Sequence, residues 1–139
     1  MGLRELPVGL ITFKSTVSYL DSLSLMTSAD GLLVIDAPAA TSVFLPSKLI
    51  DYIGSGTPIL GITPSGTAAK LITELGGWVS DPANSNTTEE VLKSFIVFLR
   101  QHGRRPNPFW GNPQIRKEFE ASIVGQRFEQ IVYELLRCR

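Results

Sequence analysis

Residues 44–63 read FLPSKLIDYIGSGTPILGIT, and this stretch decides how the rest of the chain is arranged. It divides into a loop, a helix, a turn and a strand. Pro46 stands where a first-turn proline is tolerated, because the N–H it lacks would have no partner there in any case. Leu49, Ile50 and Ile53 fall on one side of the helix, and Lys48, Asp51 and Ser55 on the other. Gly54 and Gly56 punctuate its end, and Thr57-Pro58 prevents it from continuing. Pro58–Ile62 is an apolar run of the right length for a buried strand. A polar helix start joined to a strand that lies inside a sheet is a common way to build an anion site.

Upstream, residues 8–13 (VGLITF) read as a strand after Pro7. Val17–Ser28 reads as a helix, with Leu20, Leu23 and either Leu25 or Met26 at helical spacing and Ser18 as its cap, three residues before Asp21. Asp30-Gly31 turns the chain. Leu32–Ile35 is continuously apolar, which predicts a strand covered on both faces, as in a parallel sheet. Asp36 opens a loop at its carboxyl end. Downstream, Pro64-Ser65-Gly66 turns into a helix reaching about Leu75, with Ala68, Leu71, Ile72 and Leu75 as its buried stripe. Gly76-Gly77 ends it, Trp78-Val79 is a short strand, and Asp81-Pro82 closes that strand.

Asn84–Thr88 reads as a polar linker, Thr87 and Glu90 have the spacing of a capping box, and a well-buried helix is expected over residues 88–101. Residues 102–113 (HGRRPNPFWGNP) have no period and form a loop or linker. A last helix is expected over 114–137, with Phe119, Ile123, Val124, Phe128, Ile131, Val132 and Leu135 as its apolar stripe and Gly125 as a kink. Strands alternating with helices predict an α/β fold in three layers: a Rossmann-like parallel sheet with helices on both faces.

With 139 residues, 43% of them hydrophobic and 19% charged, the chain is long enough for one core and unlike a disordered segment. Thirteen basic and thirteen acidic residues cancel, so no strong overall field attracts nucleic acid, and the Arg104-Arg105 and Phe109-Trp110 mixture leaves room only for a local basic patch. No apolar stretch reaches the roughly 18–20 residues needed to span a bilayer. The N-terminal residues MGLRELPVGL have neither the apolar core nor the end of a secretory leader. The single cysteine, Cys138, permits no internal disulfide and suits a reducing, cytoplasmic setting.

The run Leu45, Pro46, Ser47, Lys48, Leu49, Asp51, Tyr52, Gly56, Pro58, Ile59, Leu60 resembles the C-terminal, nucleotide-sugar-binding domain of GT-B glycosyltransferases, close to family 4. Tyr19-Leu20-Asp21-Ser22-Leu23, Met26 and Ala29-Asp30 support the match upstream. Gly66-Thr67-Ala68-Ala69, Gly77, Val79 and Asp81-Pro82 support it downstream. The resemblance spans residues 10–100, so 1–103 would be an N-terminally truncated donor-binding domain and 104–139 a linker with a C-terminal helix. It implies transfer of a sugar from a nucleotide-diphosphate donor to an acceptor held by an N-terminal domain absent from this sequence. No cofactor or metal is implied, and no Asp-x-Asp pair of the kind that holds a divalent ion in the other large transferase fold occurs.

Pro46, Ser47 and Lys48 either form an ordinary surface helix start with a solvated lysine or, as the resemblance implies, bring helix-start amides, a hydroxyl and an ammonium to one point suited to a diphosphate. Asp51 is either an i, i+3 ion-pair partner of Lys48 or, as the resemblance implies, a carboxylate for two ribose hydroxyls. Family 4 enzymes carry two glutamates eight positions apart; the second matches Asp51, and the first falls on Val43, which cannot ionise. Gly66 and Thr67 begin a second helix beyond a strand end, where they either cradle phosphate or donor sugar or serve as turn glycine and threonine cap. Asp36 faces the same crevice or forms a turn. His102, the only histidine, is placed as a C-terminal cap partner. In this fold the C-terminal helix commonly crosses back to the N-terminal domain; alone, it folds back or exposes its stripe, and an exposed stripe promotes a homodimer. The competing reading is a Rossmann-like interaction or scaffold domain without catalysis.

Overall fold

The computed structural model describes residues 7, 9–102 and 109–137; Val8, Arg104, Arg105, Cys138 and the boundary expected at 103/104 lie outside them. The elements run α1 (Tyr19–Ser28), β1 (Leu32–Ile35), α2 (Ser47–Ser55), β2 (Ile59–Ile62), α3 (Thr67–Glu74), β3 (Trp78–Ser80), α4 (Ser85–His102), α5 (Pro113–Lys117) and α6 (Ala121–Arg137). The strands form one parallel sheet in the order β1-β2-β3, consistent with a Rossmann-like topology.

Register and the two-residue period of strands assign the faces. Leu32 pairs with Ile59, and Val34 with Gly61, which in turn pairs with Val79, so these share one face. Val34 and Ile59 are buried there with Leu49 and Ile53 of α2 and Ala68, Leu71 and Ile72 of α3. Leu45, Trp110, Ile115 and Phe119 close around this cluster. Leu49, Ile59 and Ile72 are fully buried, each contributing about 1.5–3 kcal/mol. On the other face Trp78 packs against Phe95 and Phe98 of α4, with ring centroids 5.0 and 4.7 Å away. Ser80 and Thr88 share a hydrogen bond of 2.7 Å beside them.

Local signals set the element ends. Ser18 Oγ accepts from the Asp21 N–H at 3.1 Å and caps α1 as expected. Pro46 occupies the cap position of α2 rather than its first turn. Gly56, left-handed at φ 66°, ends α2, whereas Gly54 lies inside the helix. His102 Nδ1 lies 2.9 Å from the Phe98 carbonyl in the last turn of α4, in keeping with its expected role.

Several expectations are corrected. Residues 9–13 form no strand: the Leu10 N–H reaches the Pro7 carbonyl at 3.2 Å, and an exposed extended segment follows. One face of β1 is open, with Leu33 45% and Ile35 69% exposed, because α4 packs mainly over β3 and β2. Residues 85–88 are helix rather than linker, because Asn84 Oδ1 accepts from the Thr87 N–H at 3.2 Å and takes over the capping assigned to Thr87 and Glu90. Within α4 only Phe95 is buried; Leu92, Ile96 and Val97 face outward. The helix expected over 114–137 is two helices. Asn112 caps α5 through the Gln114 N–H, and the break falls at 118–120 rather than at Gly125. The turn bonds Glu118 N–H to Ile115 O and Phe119 N–H to Arg116 O, both 3.1 Å, mark that break. No residue of α6 is buried.

Candidate functional site

Parallel strands end together, and each helix that returns the chain to the next strand must start at that same edge. Asp36, Thr63 and Asp81 follow the three strands. The ladder continues through Asp36 N–H to Ile62 O at 2.9 Å and Thr63 N–H to Ser80 O at 3.0 Å. The starts of α2 and α3 therefore stand side by side on the carboxyl edge, where open α/β sheets bind ligands.

At the start of α2, Pro46 is extended, so the helix begins abruptly at Ser47. The Leu49 N–H reaches the Pro46 carbonyl at 2.9 Å. Among the described residues, no hydrogen bond involves the N–H groups of Ser47 or Lys48, the Ser47 hydroxyl or the Lys48 ammonium, and both residues are exposed. The first two residues of the helix thus carry two free amides, a hydroxyl and a cation at the positive end of the helix dipole.

One turn along, Asp51 does not pair with Lys48: among the described residues, the ion pairs are Lys70–Glu74, Lys93–Glu89 and Arg127–Glu118. Asp51 Oδ1 instead accepts from the Tyr19 hydroxyl of α1 at 3.1 Å. That hydrogen bond and the carboxylate charge raise the Tyr19 pKa above the ordinary tyrosine value. Tyr52 is raised as well, by burial first and then by the Asp51 charge.

The start of α3 is constructed differently. The loop after β1 returns to it: the Ser42 N–H donates to Ser65 O at 2.8 Å and the Thr67 N–H to Ser42 O at 3.0 Å. Gly66 sits at the cap position at φ 153°, and a Cβ there would overlap the Ser42 carbonyl. The glycine is required by this approach of two backbones. Thr67 is the first helical residue and not a cap, and its amide is occupied. Asp36 Oδ1 accepts from the adjacent Ala37 N–H at 2.9 Å.

A cleft of about 760 Å³ lies beside this second start, lined by Ser42, Val43, Gly66, Thr67, Lys70 and Glu74 among others. Gly66 and Thr67 are thus brought together with Val43, whereas Pro46, Ser47, Lys48 and Asp51 are not among the residues lining the cleft. Val43 is 92% exposed and offers no charge. The carboxylate in the cleft is Glu74, paired with Lys70 at 3.7 Å. Sequence reading missed both, although Thr67, Lys70 and Glu74 follow i, i+3, i+7 spacing and mark one polar helix face. It also missed the pairing of Tyr19 with Asp51, which is long-range and leaves no local signal.

No family model, curated protein or solved structure matches this chain. Among the described residues, no cluster of three or more His, Cys, Asp or Glu side chains is arranged to hold a metal ion, and no helix is long and apolar enough to cross a membrane.

Proposed function

We propose that this chain is the donor-binding part of a GT-B glycosyltransferase similar to family 4. It holds a nucleotide-diphosphate sugar for transfer to an acceptor carried by a separate N-terminal domain in the cytoplasm. On this reading the sheet is the centre of a three-layer Rossmann-like domain. The single observation that carries it is the start of α2, where the Ser47 and Lys48 amides, the Ser47 hydroxyl and the Lys48 ammonium are unpaired on the carboxyl edge of a parallel sheet. These groups receive the diphosphate and stabilise the charge that develops on it as the sugar leaves, without a required metal. Asp51 keeps one carboxylate oxygen for the ribose beside the one held by Tyr19. Gly66 and Thr67 serve the donor through the Thr67 hydroxyl and the cleft, since the first amide of α3 is taken.

A second reading, a non-catalytic interaction domain, is favoured by the uncharged Val43 and by the closed start of α3. Calorimetric titration with UDP, GDP and ADP in metal-free buffer separates the two. Saturable binding of one nucleotide is expected, weakened about tenfold or more by Lys48→Ala and by Asp51→Ala, with helix content unchanged. Equal indifference of the protein and both variants to all three nucleotides would favour the interaction domain.

A further inference from the structure

Among the described residues, α6 carries an apolar stripe that nothing covers. Its Phe128 is 69% and its Leu135 67% exposed, and Val124, Ile131 and Leu136 are exposed beside them. Only Ile123, next to the break at 118–120, is half-buried. From Val124 to Leu135 the exposed stripe runs about 17 Å along the helix.

The pattern on this helix specifies what covers it. Val124, Phe128, Ile131 and Leu135 recur at steps of four, three and four, the spacing of a two-helix seam. In an antiparallel pair related by a two-fold axis, one register matches all four at once: Val124 against Leu135 of a second copy and Phe128 against its Ile131. Arg127 and Glu134 stand on the same flank of the seam, seven residues apart. An antiparallel two-fold pair sets that flank against itself, so Arg127 meets Glu134 of the second copy, twice per dimer. A parallel pair would instead set Arg127 against Val132 and lose the Arg127–Glu134 match. Among the described residues, Arg127 has the exposed contact with Glu118 at 3.7 Å, and Glu134 accepts from Gln130 Nε2 at 3.0 Å.

We infer that α6 is a self-association surface on which two copies of this chain pair through antiparallel α6 helices, held by the Val124–Leu135 seam and oriented by Arg127–Glu134. The inference is independent of nucleotide binding. The interface is at the small end of specific interfaces, so the dimer dissociates on dilution.

Sedimentation of the full chain over a wide concentration range tests it. A monomer–dimer equilibrium is expected, abolished by Ile131→Asp with Leu135→Asp. Both positions are exposed in the monomer, so circular dichroism should report an intact fold. Arg127→Glu should raise the dimer dissociation constant about tenfold, and adding Glu134→Arg should restore it to within about twofold. A chain that stays monomeric at every concentration would overturn the inference and leave the stripe to another polypeptide. So would a dimer indifferent to the Ile131 and Leu135 changes, or one that the double charge exchange fails to restore.

Discussion

At the start of α2 the N–H groups of Ser47 and Lys48 are open, whereas at the start of α3 the first N–H, that of Thr67, is held by the Ser42 carbonyl at 3.0 Å. Both helices begin on the same edge of the sheet, and both are anchored by a fully buried side chain, Leu49 in one and Ile72 in the other. The difference comes from the loop between Asp36 and Pro46, which bridges to Gly66 and leaves the start of α2 clear. Anchoring a helix and making its end available to an anion are separate properties. The first depends on the apolar stripe, and the second on whether a neighbouring carbonyl arrives first.

The largest way to break this contrast is Gly66→Ala. The new methyl overlaps main-chain atoms of Ser42 that no rotamer change can move. Loss of about 4 kcal/mol of stability is expected in denaturant titration, together with an opened start of α3. Next, Leu49→Ala and Ile72→Ala should each remove about 3 kcal/mol, because both side chains end in the same cluster. A much smaller loss at either position would show that the two helices are not anchored alike.

Binding sharpens the contrast further. Lys48→Ala should weaken nucleotide-diphosphate binding about tenfold, and Lys70→Ala, whose ammonium faces Glu74, by about threefold or less. Reversal of that order in calorimetry would move the anion site to α3. Thr67→Ala should change stability by no more than about 0.5 kcal/mol, since the residue is not a cap.

The smallest effect is a titration. The Tyr19 hydroxyl should ionise above the ordinary tyrosine range, and Asp51→Asn should bring it back toward that range, as read from ultraviolet absorbance. Because the folded state holds this proton more tightly, the contact stabilises the fold below the ordinary tyrosine pKa and is lost as pH rises through the raised value.

The elements that sequence reading located well are those whose signals are local. The apolar run Leu32–Ile35, the stripe Ala68, Leu71, Ile72 and Leu75, and the capping serine Ser18 each declare their structure within a few residues. What depended on distant partners was not legible. Thr87 and Glu90 had the spacing of a cap, yet Asn84, read as part of a linker, accepts from the Thr87 N–H and starts the helix. Leu33 and Ile35 read like Val34, yet they stand on the opposite face and remain exposed there. Of the candidate site, the polar start of α2 could be read directly. The return of Ser42 to Gly66, the hold of Tyr19 on Asp51 and the placement of Glu74 beside Val43 required the third dimension.

The open face of β1 also governs how the protein behaves in concentrated solution. Among the described residues β1 has a strand neighbour on one side only, so its other edge keeps main-chain groups able to template a further strand. Leu33 and Ile35 make that edge adhesive, and no proline or charge within Leu32–Ile35 guards it. Its brevity is the remaining protection, since four residues span only about 13 Å. A lysine in place of Leu33, whose side chain already faces water, would act as a gatekeeper against edge-to-edge aggregation while leaving the buried Val34 face intact.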